Sequence, residues 1–535
     1  MSSNNNLLTV FQPREGHNPS ATAIILPSSS PNPYRFTYHQ LHNLVLDLQS
    51  QIASFGFKPS EVISSSLVNG IEFVLTFLAT GAERLVAGPL NPNYSSNEVS
   101  FYLQDTQSKL LILPRGAFAN PHPAVSAARG LNVEMAEIVF DPSSCSVSLI
   151  RENGSKVERS PSSVLRRPLD EDVALVLHTS GTTGRPKGVP LSHRNLLTTM
   201  ANIIKTYELT PGDRTYLVMP LFHVHGLLCG LLAPLLSGGS VVIPPKFSAS
   251  VFWSELGSNG CNWYTAVPTI HQMLLNTTKP ERLPKLRFIR SCSSALSPST
   301  FHAIEEAFQA PVLEAYAMTE ASHQMTSNPL PPLKRKPGTV GFGHGVEVKI
   351  LDSKGYEVAQ GEEGEVAVRG ANVTKGYLNN EKANRESFVV GSEDGKEGPM
   401  ENRGFFRTGD QGKKDADGYV QLTGRIKELI NRSGEKISPL EVDAALLSVR
   451  GVGEAVSFGM ADELYGEKVG AVVVLKKGFE ATGEKEIREQ LKGKISHFKI
   501  PERIWITEAI PKTATGKIQR KNVSATFARK DGAKL

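Results

Sequence analysis

Apolar positions in the first half of the chain alternate between helical and strand-like rhythms. Thr37-Tyr38-His39-Gln40 forms a capping-box pattern, after which Leu41, Leu44, Val45, Leu48, Ile52 and Phe55 share one helical face until Gly56 closes the run. A second box, Ser95 with Glu98, opens a helix ahead of a strand-like stretch at 109–113. Continuous apolar runs at 173–177 and 240–243 have the pattern of strands buried on both faces. Strands alternating with helices predict a parallel α/β architecture. The most apolar run, 226–236, is too short to span a bilayer and contains Gly and Pro, so it predicts a buried helix.

From about residue 346 the pattern turns β-rich, with short strands predicted at 346–351, 364–369 and 419–423. Residues 391–403 are rich in Gly, Glu and Asp and predict a surface loop. After Gly424 a new unit begins, with a helix at 439–447, strands at 455–459 and 470–476, a helix at 484–495 and a strand at 503–506. That is a compact α+β unit of about one hundred residues, within the usual domain range. The expected division is a large N-terminal part, 1–426, and a small C-terminal part, 427–535.

Composition narrows the class. With 535 residues, 40% of them hydrophobic, the chain is too long for one ordinary core. A net charge of +5, with basic clusters only at 334–336 and 529–530, gives no reason to expect a dedicated nucleic-acid reader. Cys145, Cys229, Cys261 and Cys292 form no CxxC pair, so reduced thiols in an intracellular compartment are expected. The N-terminal Met-Ser-Ser-Asn-Asn-Asn lacks the basic and apolar regions of a secretory signal. Ala533-Lys534-Leu535 is a close variant of the Ser-Lys-Leu peroxisomal address and follows a polar tail expected to be flexible.

The chemistry is concentrated in Thr179-Ser-Gly-Thr-Thr-Gly-Arg-Pro-Lys-Gly188, directly after the run at 173–177. Gly181 and Gly184 permit close backbone approach, Thr179, Ser180, Thr182 and Thr183 supply hydroxyls, and Lys187 adds charge. The spacing is not that of a Walker A loop, yet the chemistry suits a triphosphate.

This run resembles the signature of the adenylate-forming superfamily, which includes acyl-CoA synthetases, 4-coumarate–CoA ligases, firefly luciferase and peptide-synthetase adenylation domains. Further matches follow in the family's order: Pro220-Leu-Phe-His-Val-His225, Tyr316-Ala-Met-Thr-Glu320, 364–370, Arg407-Thr-Gly-Asp410, 424–434 and Pro511-Lys-Thr-Ala-Thr-Gly-Lys517. The resemblance implies the family's large α/β part with a β-rich subdomain, its mobile C-terminal domain, and use of ATP, Mg²⁺ and coenzyme A. It makes Lys517 the adenylation lysine, bridging carboxylate and α-phosphate by charge neutralisation. Glu320 would hold Mg²⁺ and Thr319 would bond phosphate. Asp410 and Arg425 would meet the ribose, and Tyr316 with Ser294 and Ala295 would enclose adenine. His223 would gate the acyl site, and Lys427 would be the hinge of domain alternation. Asn431 departs from the lysine that luciferase and coumarate ligases commonly carry, which weakens direct carry-over of luciferase-type roles.

The segments expected to line the acid pocket are polar: His223, His225, 291–294 including Ser293, then Ser322 and His323. A long-chain acid needs an apolar tunnel, whereas a short dicarboxylate needs donors in a closed pocket. This constellation resembles the oxalyl-CoA synthetases of plants and fungi, with His323 facing a second carboxylate. An acid–CoA ligase acting on oxalate is therefore the leading expectation. A fatty-acid or 4-coumarate-type ligase, an adenylating enzyme with another acceptor, and an RNA-binding or other interaction role with incidental adenylation stand as alternatives.

Overall fold

The computed structural model describes residues 6–12, 17–179, 186–391, 399–433, 435–513 and 516–531. Both capping boxes form as expected. Thr37 caps the helix Tyr38–Ala53 and Ser95 caps Ser96–Asp105, each with reciprocal bonds to the third residue. The apolar face of the first helix, Leu41 through Ile52, is wholly buried.

Two large sheets carry the first half. One is nine-stranded, and its central strands Thr22–Leu26, Ser240–Val242, Arg214–Tyr216, Trp263–Ala266, Phe288–Ser291 and Val312–Met318 run parallel. Antiparallel strands close both edges, Tyr34–Thr37 on one side and His323–Ser327 with Phe342–Gly343 on the other. The second sheet is seven-stranded and brings Val173–Thr179 beside Val86–Pro89, with Lys187–Ser192 antiparallel at its edge. The expectation of a parallel sheet thus holds for the centres, while the edges are reversed. In open α/β sheets ligands gather outside the carboxyl ends of the parallel strands. Thr179, Ser291 and Met318 are all such strand ends.

The β-rich segment forms a four-stranded antiparallel sheet from Glu347–Leu351, Gly364–Arg369, Phe406–Lys414 and Val420–Arg425. Beyond it, Ile430–Arg432, Glu435–Ile437, Val452–Asp462, Gly466–Leu475 and Arg503–Ile506 build a fourth sheet. This sheet has hydrophobic clusters of its own, one around Val442, Val469 and Ile487, another around Phe458, Val472 and Val523.

Three local expectations need correction. The run at 226–236 is helical, but His225–Leu232 takes a wider π-type turn before Ala233–Leu236 becomes α. Glycine at 226 allows this, since a Cβ there would lie 2.2 Å from the Pro220 carbonyl oxygen. Secondly, the helix expected to reach 495 ends at Leu491, where Lys492 turns extended. Thirdly, the tail after the lysine motif is not simply a flexible segment, because Arg520–Asp531 is helical. Val523 on that helix is fully buried against the fourth sheet, an anchor that a polar tail does not advertise. The loop expected at 391–403 lies largely outside the described residues, and Met400–Asn402 at its end is a 3₁₀ turn. All four cysteines are free and three are buried. No helix among the described residues is long and apolar enough to cross a membrane.

Candidate functional site

The strand Val312–Met318 ends in a single 3₁₀ turn, Thr319–Ala321, that presents two polar residues below 10% exposure. Glu320 Oε1 accepts a 2.9 Å hydrogen bond from the Tyr377 hydroxyl and lies 3.5 Å from Thr179 Oγ1. Thr179 terminates a strand of the other large sheet, so this contact joins the carboxyl ends of both sheets. Burial raises the Glu320 pKa, opposed by the Tyr377 bond and by the charges of Arg425 and Lys187. Lys187 Nζ sits 4.5 Å over the Tyr377 ring. Ser180, Gly181, Thr182, Thr183 and Gly184 lie outside the described residues. The residues flanking them, Thr179 and Lys187, are paired across the same strand ladder.

A second carboxylate is held nearby. Asp410 Oδ2 accepts from the Tyr316 hydroxyl at 2.5 Å and Oδ1 from Arg425 Nε at 3.0 Å. Desolvation and the Asp410 charge push the Tyr316 phenol well above its ordinary pKa. The turn after Phe288–Ser291 leaves Ser294 and Ala295 exposed and Ser293 half-buried at φ 74°. It is braced from behind by Glu314, whose Oε1 accepts from the Leu296 amide at 2.9 Å. Burial raises the Glu314 carboxyl to about 8.

Lys517 reaches the same place from the far end of the sequence. Thr269 Oγ1 donates to the Gly516 carbonyl at 3.2 Å, and Gly516 at φ +77° passes so close that a Cβ would sit 2.9 Å from that hydroxyl. Desolvation and Arg425 lower the Lys517 pKa, while Asp410, Glu428 and Glu320 pull it up. Lys517 in turn adds to the desolvation that lowers His223 to about 4. One ammonium therefore senses both carboxylates and the histidine, although more than three hundred residues separate Lys187 from it. Lys427 is exposed in the turn Ile426–Glu428 that links the third sheet to the fourth.

Beside His223 lies a dense polar cluster. His225 is fully buried, with Nδ1 3.1 Å from Ser293 Oγ and Nε2 2.7 Å from Thr265 Oγ1. His323 stacks on it at 5.0 Å between ring centroids. Ser322 and His323 both have positive φ, 51° and 99°, a costly backbone for non-glycine residues and characteristic of functional turns. His323 Nε2 is buried without a hydrogen-bond partner among the described residues. An orphaned polar atom at that depth is costly unless a ligand meets it.

The structure thus gathers Thr179, Lys187, Tyr316, Thr319, Glu320, Asp410, Arg425 and Lys517 on one side, and His223, His225, Ser293 and His323 on the other. Sequence reading missed Tyr377, which holds Glu320, and Glu314, which braces the 293–296 turn. It also missed Arg290, Thr265 and Gln324. Arg290 carried a usable signal, because an arginine inside the apolar strand Phe288–Ser291 must be buried. Tyr377 carried none, since its loop meets Glu320 only through the fold.

Residues 11–378 match the AMP-binding enzyme family and residues 441–517 match the AMP-binding enzyme C-terminal domain. An oxalate–CoA ligase of Saccharomyces cerevisiae is 45% identical over 530 residues, 95% of each chain. An oxalate–CoA ligase of Arabidopsis thaliana is 46% identical over 505 residues, 93% of this chain and 94% of its own. Among solved structures, ATP-bound MatB from Rhodopseudomonas palustris superposes with a TM-score of 0.85 at 26% identity, covering 98% of this chain and 99% of that one.

The histidine cluster has a measurable consequence. Desolvation holds His271 at about 3 and His223 at about 4, and holds His225 and His323 well below 6.5. The unfolded chain protonates each near 6.5, so between 6.5 and about 4 it binds more protons than the native state, and stability falls as pH falls. Glu314, raised to about 8, and Glu320, raised by burial, act in the opposite sense, but His193, held at about 4, adds to the four histidines and the lowered imidazoles outnumber the raised carboxyls. The thermal midpoint should drop by about 2 °C or more from pH 7 to pH 5. Calorimetry of a His271→Gln variant should show a shallower decline, and an unchanged slope would contradict the assignment.

Proposed function

This chain belongs to the AMP-binding enzyme family, and we propose that within it the chain is an oxalate–CoA ligase. The chemistry is ATP-dependent acid–thiol ligation. The acid is joined to AMP with release of pyrophosphate, and CoA then displaces AMP to give the thioester. The observation that carries the choice of acid is the orphaned His323 Nε2, stacked on His225 and within electrostatic reach of His223. A fatty or aryl-propenoic chain would leave these donors unpaired, whereas a second carboxylate satisfies them.

In this reading Lys517 lies between the incoming carboxylate and the α-phosphate, where its lowered pKa reflects desolvation first and the nearby Arg425 second. Lys187 and the hydroxyls of the 179–184 loop hold the β- and γ-phosphates, with Thr319 beside them. Asp410 and Arg425 face the ribose, and Tyr316 with Ser294 and Ala295 encloses adenine. Mg²⁺ fits Glu320. No group of three or more potential ligand side chains occurs among the described residues, and one carboxylate completed by phosphate oxygens and water is how this ion is commonly held. When bound, it neutralises phosphate charge. Tyr377 orients the Glu320 carboxylate toward that task. After adenylation, rotation about Lys427 withdraws the 427–535 unit with Lys517 and admits CoA.

CoA-dependent AMP release should be greatest with oxalate in a panel that includes malonate, acetate, coumarate and a medium-chain fatty acid. His323→Ala should raise the oxalate KM by at least about tenfold and leave the ATP KM within about twofold. Preference for a monocarboxylate, or unchanged oxalate kinetics in the variant, would refute the choice of acid.

Lys517→Ala should slow adenylation by roughly 10²–10³-fold. CoA transfer from supplied acyl-adenylate should stay near the wild-type rate, since the lysine is withdrawn for that step. Equal loss in both half-reactions would exclude domain alternation.

Read as a free terminus, Ala533-Lys534-Leu535 supports import into peroxisomes through the receptor for such tripeptides. Its deletion should leave ligase activity intact and return the protein to the cytosol. Peroxisomal retention of the truncated chain would disprove the address.

A further inference from the structure

Arg290 is a fully buried cation with no carboxylate partner among the described residues. Its guanidinium reaches neutral groups: Nε donates to the Tyr207 hydroxyl at 2.7 Å and Nη2 to Gln324 Oε1 at 3.4 Å. Nη1 points at Thr265 Oγ1, 3.2 Å away, and at His225 Nε2, 3.4 Å away. A buried charge left without a counter-ion is costly, and sites that tolerate one commonly receive the opposite charge from a ligand.

The directions of these hydrogen bonds settle where the His225 proton lies. Arg290 can only donate. Thr265 Oγ1 accepts from Arg290 and has its own hydrogen for His225 Nε2 at 2.7 Å. The Thr265 hydroxyl could pair with either state of Nε2, but Arg290 Nη1 presents only hydrogens to it, so Nε2 accepts and a neutral imidazole then carries its proton on Nδ1. Nδ1 faces Ser293 Oγ at 3.1 Å and donates to it. Ser293 has received a hydrogen bond and keeps its own O–H for another partner. Its φ of 74° sets it in the turn beside His225, on whose ring the orphaned His323 stacks. Burial, reinforced by Arg290, keeps both His225 and His323 neutral, so this proton order persists across the neutral pH range.

We propose that Arg290 is a positioning residue that fixes His225 as its Nδ1–H tautomer, with Thr265, and thereby makes Ser293 a hydrogen-bond donor to the far carboxylate of the substrate. The assignment rests on the dicarboxylate reading for its ligand, but the proton order is a property of the free enzyme. The same unpaired guanidinium supplies a fixed positive field behind a pocket that must take a second negative charge.

The test separates those two parts. In the full-length enzyme with ¹⁵N-labelled histidine, the His225 ring signals are identified by their loss in His225→Gln. They should show a protonated Nδ1 and an unprotonated Nε2 without substrate. A protonated Nε2 overturns the relay even if Arg290 variants fail to fold. Thr265→Val should raise the oxalate KM at least about fivefold with kcat and ATP KM nearly unchanged, as for loss of one oriented bond. Combined with Ser293→Ala it should add nothing to the effect of Ser293→Ala alone, since both act on one bond. Additive losses overturn the relay. Arg290→Met should raise the oxalate KM more than Arg290→Lys does, and equal effects of the two overturn the role of the charge. A wild-type enzyme inert toward oxalate refutes the choice of acid, while the tautomer decides the relay independently.

Discussion

A carboxylate cannot approach a triphosphate unless positive charge is set between them, and the fold is arranged around that requirement. Glu320 stands where the charges meet. It is buried at the end of a parallel strand, and the fields of Lys187, Arg425 and Lys517 all reach it. These three cations come from the second large sheet, the β-rich sheet and the C-terminal segment respectively. Arg425 is close enough to Lys517 to lower its pKa, and Asp410 holds Arg425 through a 3.0 Å bond. The site is therefore balanced rather than simply basic, and its balance depends on every layer of the molecule docking correctly.

The acid end solves a different problem in the same way. Polar side chains are placed in a region dry enough to keep four imidazoles neutral, and hydrogen bonds are distributed so that almost every group is met. His323 Nε2 is unmet, as are His271 Nε2 and Ser291 Oγ, and Arg290 has no carboxylate partner among the described residues. Such exceptions are informative because folding alone would remove them: apolar residues of similar volume would pack the same space at lower cost. The strained backbone at Ser322 and His323 points the same way.

Much of the fold was legible along the chain where local physics decides. The capping boxes at Thr37 and Ser95, the strands buried on both faces, and the helix Pro439–Leu447 each follow from spacing and termini alone. Reading failed where tertiary contacts override local pattern. The π-type turn at His225–Leu232 depends on the Pro220 carbonyl lying against Gly226, a contact invisible in composition. The helix Arg520–Asp531 looked like a tail because its polar sequence hides its anchors, Val523 with Phe527 and Ala528.

The sequence by itself determined the reaction, because glycines, hydroxyls and charges at fixed spacing suit a triphosphate wherever the strand before them ends. It also singled out Glu320, Asp410 and Lys517, with Thr319 beside Glu320, as candidates for that reaction, since they sit in short local patterns. Only the tertiary structure decided how those groups are tuned. Tyr377 against Glu320, Glu314 beneath the 293–296 turn and Arg290 behind His225 are pairings between strands and loops far apart in the chain. Desolvation and hydrogen-bond direction are properties of a closed three-dimensional environment, and a one-dimensional pattern contains neither.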